Sequence, residues 1–304
     1  MREKPPRVSI GLPVYNGERY LARALDSLIG QDFEDFELII SDNASTDGTS
    51  AICEDYAGRD RRIQYKRNER NIGAVGNFNR TLNQASGEYF KWAAHDDWCA
   101  PEFLSRCVGV LDDDPSIVLC FTAMGVADAE GKVFRVQREE LDGAASSHPR
   151  TRFHRVLWSL VDCTSPVFGL MRLNTLRTNG LQLPNAPELD RILIGELSLY
   201  GGIRQLPEVL FFHHGPPGHP RRDQWTWMDP ANANRIRATT VRITQRQGAA
   251  LWRAPVGVAD KVALTADLLV SFGVRRTRSK LRKVRKRRKA AAPVSGRAPE
   301  GGST

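Results

Sequence analysis

The sequence predicts an α/β protein built on a mostly parallel sheet flanked by helices. Three observations predict it. Short apolar runs alternate with segments of helical spacing through residues 1–100, the pattern of successive βαβ units. Three of those runs end in polar clusters: PVYNGE at 13–18, SDNASTD at 41–47 and HDD at 95–97. Apolar residues make up 41% of the 304, enough for a sizeable core and too many for wholesale disorder.

The elements follow in order. Arg7–Leu12 reads as a short buried strand. In 17–29, Tyr20, Leu21, Ala24, Leu25 and Leu28 recur at helical spacing. Phe36–Ile40 is a second strand, and Asp47 is placed to cap a helix over 49–56. Arg62–Tyr65 is a third strand, 73–84 a helix, and Tyr89–Ala93 a fourth strand ending at His95–Asp97. A helix over 101–111 and a strand over 117–121 come next. Residues 125–150 are loop-rich with one hairpin around 129–132, followed by a helix near 152–160. Leu189, Ile192, Leu193 and Leu197 are spaced for a helix within 187–200, and 203–212 returns to strand. Residues 213–230 form a Pro/Gly/His loop, 232–274 looks helical, and the last fifteen residues read as disordered.

The expected division is a catalytic domain over 1–225, a helical C-terminal extension over 226–274, and a basic, disordered tail over 275–304. The net charge of +9 belongs to that tail, because 275–289 holds eleven Lys and Arg and no acid. Subtracting those eleven from +9, with Arg297 and Glu300 cancelling, leaves residues 1–274 at −2. Overall basicity therefore says nothing about the main site. Cys53, Cys99, Cys107, Cys120 and Cys163 form no CxxC pair and suit a reducing compartment. The N-terminus lacks the apolar core of a signal peptide, and 262–274 is too short and interrupted to span a bilayer. The chain reads as cytoplasmic, with a peripheral position on the inner face of the cell membrane as an extension of that reading.

Ligands of open parallel sheets bind outside the carboxyl ends of the strands, where the three polar clusters lie. No GxGxxG opens the first helix and no GxxxxGK[ST] loop is present, so bound phosphate needs another positive charge. Mg²⁺ or Mn²⁺ held by Asp97 would supply it. The competing reading makes Asp96 and Asp97 caps of the helix near Pro101. Asp42 suits hydrogen bonds from a nucleotide, or else closes an Asx-turn.

Four segments in register, VSIGLPVYNGERYLARALDSL, FELIISDNASTDGT, NERNIGAVGNFNRTL and GEYFKWAAHDDW, resemble the family 2 glycosyltransferases. These are inverting enzymes with the Rossmann-like GT-A fold of nucleotide-diphospho-sugar transferases. The resemblance covers residues 7–125 closely and 185–220 loosely. It implies nucleotide contacts at Pro13, Tyr15 and Glu18 in the first loop. Asp42 would hold the base, with Asn43 and Ser45 beside it, and Asn71 and Gly73 would close over the nucleotide. Asp96 would lie near the donor ribose or sugar and Asp97 would bind the metal. His95 departs from the family's DxD pattern by replacing its first acid.

The resemblance also implies a catalytic carboxylate at the start of a later helix, with Asp190 the best match and Glu188 the alternative. A one-step displacement needs one base for the acceptor proton. On spacing alone, Asp190 is a first-turn acid favoured by the helix dipole. The family's later histidine falls close to Pro216, so His213, His214 or His219 would substitute, with His214 a further metal candidate.

The implied function is sugar transfer from a nucleotide-diphosphate donor to a hydroxyl of a cell-envelope polysaccharide, glycolipid or lipid-linked glycan, with Mn²⁺ or Mg²⁺ as cofactor. A nucleotidyltransferase on a similar sheet and a non-catalytic nucleic-acid binder are the alternatives. The first lacks an early basic phosphate loop, and the second leaves the acidic strand ends unexplained. The basic run Arg275–Lys289 reads as a contact with anionic membrane, as a nucleic-acid contact or as a solvated tail. Leu264, Leu268, Leu269 and Phe272 before it are a candidate apolar face.

Overall fold

A computed structural model describes residues 4–139, 141, 143–159, 165–186, 188–215 and 240–290. The predicted βαβ units are present: β1 (Val8–Val14), α1 (Leu21–Ile29), β2 (Phe36–Asp42), α2 (Thr49–Arg59), β3 (Ile63–Arg67), α3 (Ala74–Gln84) and β4 (Tyr89–Trp92). β3, β2, β1 and β4 lie side by side, all parallel. β1 and β2 are buried at every position, polar Ser9 and Glu37 included, because helices cover both faces of a parallel sheet, and Ser9 Oγ donates to Glu37 Oε1 at 2.6 Å. Gly11 lets α3 lie close against β1, because a Cβ there would meet Thr81 Oγ1 at 2.4 Å.

Beyond β4 the sheet is mixed. β5 (Trp98–Cys99), α4 (Phe103–Asp113), β6 (Ile117–Ala127) and β7 (Val133–Gln137) come next, then α5 (Pro149–Ser159), β8 (Leu170–Arg172), α6 (Leu173–Thr178), α7 (Leu189–Leu197) and β9 (Gly202–His214). β8 sits antiparallel between β4 and β6, and β9 runs parallel to β6 on its far edge. The expected hairpin is the β6–β7 turn. β5 pairs antiparallel with β9, Trp98 opposite Phe212. Thus the end of β9 lies beside the residues that follow β4.

The C-terminal stretch expected as helix is broken: α8 (Thr240–Arg253) and α9 (Val258–Ala290) flank Pro255. Proline lacks the amide a continuous helix needs there. α9 continues through the basic run to Ala290, so helix replaces the disorder expected from 275 up to that point. Residues 216–239, with His219 and Pro216, and 291–304 lie outside the described residues, as does Cys163. A third core cluster joins Phe153 and Leu157 of α5 to Leu251, Leu264 and Leu268 of α8 and α9.

An ion cluster ties α4 to the central strands. Asp112 accepts from Arg7 Nη1 (3.0 Å), Arg7 Nη2 (2.6 Å) and the Tyr89 hydroxyl (2.6 Å). The Arg7 hydrogen bonds hold the Asp112 carboxyl below the usual carboxylate range, with Tyr89 adding to the effect. Its folded pKa is depressed, so the stabilisation is complete above the unfolded value near ~3.9 and is lost as pH falls through the folded one. Asp112→Asn should therefore show a smaller drop in urea midpoint than the wild type between pH 7 and pH 3.

Candidate functional site

The site forms where β1, β2, β3 and β4 end. The register sets Val14, Asp42 and Arg67 in one row. Two loops then clasp each other. The Asn16 amide donates to Ser45 Oγ (2.9 Å), and Asn16 Oδ1 accepts from the Thr46 amide (2.8 Å). Gly17 N–H donates to Thr49 Oγ1 (2.8 Å), and Gly48 N–H to Glu18 Oε2 (3.0 Å). Both loops turn through left-handed residues, Asn16 (φ 52°) and Ala44 (φ 62°). A non-glycine residue persists there only where its surroundings over-determine it. Pro13 is the penultimate residue of β1, opposite Ser41, and Tyr15 is exposed. Glu18, expected to touch nucleotide, here braces the second loop. Asp47 accepts from the Thr49 amide and hydroxyl (3.1 and 2.5 Å), so it does serve the start of α2.

Asp42 is fully buried. Its Oδ1 accepts from the Ser45 amide (2.9 Å), and its Oδ2 accepts from Tyr65 (3.1 Å) and faces Arg67 Nε (3.4 Å). The structure shows the Asx-turn, and Asp42 shapes the loop from beneath.

An amide network, buried at Asn43, Asn68 and Asn77 and exposed at Asn71, continues from it. Asn43 Nδ2 donates to Asn71 Oδ1 (2.8 Å), which also accepts from the Gly73 amide. Gly73 has φ +78°, a conformation that favours glycine at the start of α3. Asn43 Oδ1 accepts from the Ile72 amide and from Asn68 Nδ2. Asn77 donates to the Ser41 carbonyl (2.7 Å) and accepts from Ser41 Oγ and Asn68 Nδ2. Asn68 Oδ1 is buried without a hydrogen-bond partner. Asn68 and Asn77 were missed from sequence, since an asparagine in a loop or helix carries no sign of a partner nine or more residues away. Asn77→Leu should lower the unfolding free energy by about 1–3 kcal/mol, the cost of stranding buried polar groups, read from the urea midpoint.

Asp97 is the centre of the second half of the site. It does not cap α4, which starts at Phe103 with no side-chain cap. Instead its Oδ1 accepts from the His214 amide (3.0 Å) and contacts His213 Nδ1 (2.9 Å). His213, not His214, therefore brings its ring to Asp97. The His214 ring packs on Tyr20, 4.4 Å between centroids. Side chains alternate along a strand, so only one of two neighbouring histidines can face the centre. The Trp98–Phe212 stack (5.5 Å) and Arg23, 3.3 Å above the Trp98 ring, lock the β5–β9 pair that sets this contact. Arg135 of β7 and His213 share Val126 as register partner, one row across three strands.

Electrostatics follow the geometry. Burial opposes charge on the His213 ring, but the charge and hydrogen bond of Asp97 outweigh it and the pKa rises. Burial, then the adjacent Asp97 charge, push the Asp96 carboxyl up. The His95 ring packs on Gly17, where a Cβ would meet it at 2.8 Å.

Mg²⁺ and Mn²⁺ take one or two carboxylates plus phosphate oxygens. Asp97 Oδ2 has no hydrogen-bond partner among the described residues, and Asp96 adjoins it, so these residues fit such an ion in the company of a diphosphate. A closed cage is absent: no three His, Cys, Asp or Glu cluster for metal among the described residues.

Asp190 stands in the first turn of α7, its Oδ1 accepting from the Arg191 amide (2.8 Å). Burial raises its pKa despite that hydrogen bond. Glu188 is a left-handed residue (φ 53°) whose Oε2 pairs with Arg191 Nη1 at 3.3 Å.

This arrangement defines a nucleotide-diphospho-sugar transferase fold with its polar loops gathered at one sheet end. Residues 9–177 match the model of Glycosyl transferase family 2, and the chain belongs to that family. EpsE of Bacillus subtilis, assigned to the glycosyltransferases, is 35% identical over 127 residues, 41% of this chain and 46% of that one. Glycosyltransferase GlyA of Streptococcus pneumoniae is 35% identical over 98 residues, 32% of this chain and 14% of that one. The chain thus spans less than half the length of these curated relatives. Staphylococcus aureus TarS 1–349 in complex with UDP-GlcNAc superposes with a TM-score of 0.67 at 21% identity, covering 87% of this chain and 72% of that one. A mannosyltransferase of Pyrobaculum calidifontis in complex with GDP-Man and Mn²⁺ gives 0.51 at 17% identity, covering 90% and 87%. At such identities the likeness is one of fold, and that fold is GT-A. No helix among the described residues is long and apolar enough to cross a membrane.

Proposed function

We propose that the protein is an inverting, metal-dependent hexosyltransferase. It moves sugar from a nucleotide-diphosphate donor to a hydroxyl of a cell-envelope polysaccharide, glycolipid or lipid-linked glycan. It works at the cytoplasmic face, with Arg275–Lys289 against anionic membrane. Residues 1–225 are assigned as the catalytic unit and 226–274 as an extension, whose described part packs on α5 through Leu251, Leu264 and Leu268. The observation that carries the reading is Asp97, fixed through one oxygen by β9 and with the other unpartnered among the described residues, beside two interlocked loops at the sheet's carboxyl end.

The base and ribose lie against Pro13, Tyr15, Asn43, Ser45, Asn71 and Gly73, on a floor shaped by Asp42 and Glu18. Asp97 holds the Mn²⁺ or Mg²⁺, with Asp96 toward the donor sugar. His213 steadies the Asp97 carboxylate. The ion supplies Lewis-acid stabilisation of the leaving diphosphate. Asp190 takes the proton of the acceptor hydroxyl as its oxygen bonds to the anomeric carbon and the bond to the diphosphate oxygen breaks. A carboxylate raised by burial is a better base near neutral pH than an ordinary one. Glu188 is the poorer candidate because it is engaged with Arg191.

Binding of a panel of UDP-, GDP- and dTDP-sugars, with and without Mn²⁺, tests the reading. One nucleotide series should bind, more tightly with the ion. Absence of binding by every member would refute it.

A further inference from the structure

The first turns of α9 have an inward and an outward face, and the outward one is unusual. Leu264 and Leu268 are buried against α5 and α8. The expected apolar face of Leu264, Leu268, Leu269 and Phe272 is therefore divided, with two of its leucines spent on the protein's own core. Asp267 anchors one flank by accepting from Trp158 Nε1 (3.1 Å) and contacting His154. Facing away from the core are Val258 (71% exposed), Val262 (58%), Leu269 (59%) and Val270 (59%). Ala259, Ala266 and Gly273 are exposed between them. At about 100° per residue these seven positions fall within about one third of the helix circumference. None is charged, whereas a surface helix ordinarily turns charged and polar residues outward.

The same helix then continues into Arg275–Lys289, with eleven cations and no acid. Its partner must accept an uncharged strip and a cationic rod laid end to end. A nucleic acid would meet the cations and leave the valines and Leu269 in water. A second copy of this chain would cover the strip and bring two cationic rods into one assembly. An anionic lipid surface satisfies both parts, because apolar side chains enter the headgroup boundary while Lys and Arg meet the headgroups.

We propose that α9 docks the protein on an anionic lipid surface through Val258, Val262, Ala266, Leu269 and Val270, with Arg275–Lys289 supplying the charge attraction. This deepens the membrane part of the function proposed above and is independent of the donor chemistry.

The test is co-sedimentation of the full chain with phosphatidylcholine vesicles, with and without phosphatidylglycerol. The chain should bind only the anionic vesicles, and salt should release it. A chain ending at Val274 should lose binding. Val262→Glu with Leu269→Glu should weaken binding at least about ten-fold, since each apolar side chain withdrawn from the boundary is worth about that factor or more. Both substitutions are at exposed positions, so circular dichroism and nucleotide-sugar binding should match the wild type. Loss of sugar binding in the wild type as well would count against the donor reading and leave the vesicle result standing. Undiminished vesicle binding by the double variant would overturn the proposal. So would binding to nucleic acid with none to vesicles, or a change of oligomeric state in the double variant without lipid.

Discussion

Asp97→Asn should reduce sugar transfer by at least about a thousand-fold while leaving the fold intact. The amide oxygen of Asn can still accept the His214 amide bond, and its size is unchanged, so the β5–β9 junction survives. What is lost is the negative charge at Oδ2, the atom with no partner among the described residues. Removing the charge that holds a Lewis acid forfeits several kcal/mol of transition-state stabilisation, which sets the size of the loss. Mn²⁺-dependent strengthening of nucleotide diphosphate binding should disappear in the same variant, read by calorimetry. Asp96→Asn should weaken donor binding with a smaller loss of metal dependence. Full turnover by Asp97→Asn would remove Asp97 from the centre.

Asp190→Asn should keep donor binding and lose the chemical step by about 10²- to 10⁴-fold, the usual worth of a general base. The Arg191 amide can still donate to the Asn oxygen, so the first turn of α7 is preserved. The sign of the pH dependence follows from burial. Because the folded Asp190 pKa is raised, the base form fills only above that raised value, and kcat should fall on the acidic side at a pH above ~3.9. The variant should lose that limb along with its rate. If Asp190→Asn remains active and Glu188→Gln is dead, the base is Glu188.

Parts of the fold differ in how well residue pattern alone reveals them. β1, β2 and β4 are buried along their whole length, and apolar residues dominate them despite Ser9, Glu37 and Lys91, so they show as short apolar runs. β5, with two residues, and β8, with three, are too short to show a period. β7 is exposed at its first four positions and carries apolar Val133, Phe134 and Val136 on both faces, so it shows no alternation. The polar loops were legible because each closes a strand. The contact between Asp97 and His213 was not, because 116 residues separate them and only the β5–β9 pairing sets the register. A shift of one residue would have presented His214. In α9 both sides are apolar, so spacing finds two candidate faces and only the packing of Leu264 and Leu268 says which is inward.

The most direct measurement is release of free nucleoside diphosphate from the nucleotide sugar that binds, followed over time with Mn²⁺ present, chelated and restored. The account predicts release by the wild type that stops on chelation and returns with the ion, and none above background from Asp97→Asn under any condition. Equal release by wild type and variant, indifferent to chelation, would contradict it.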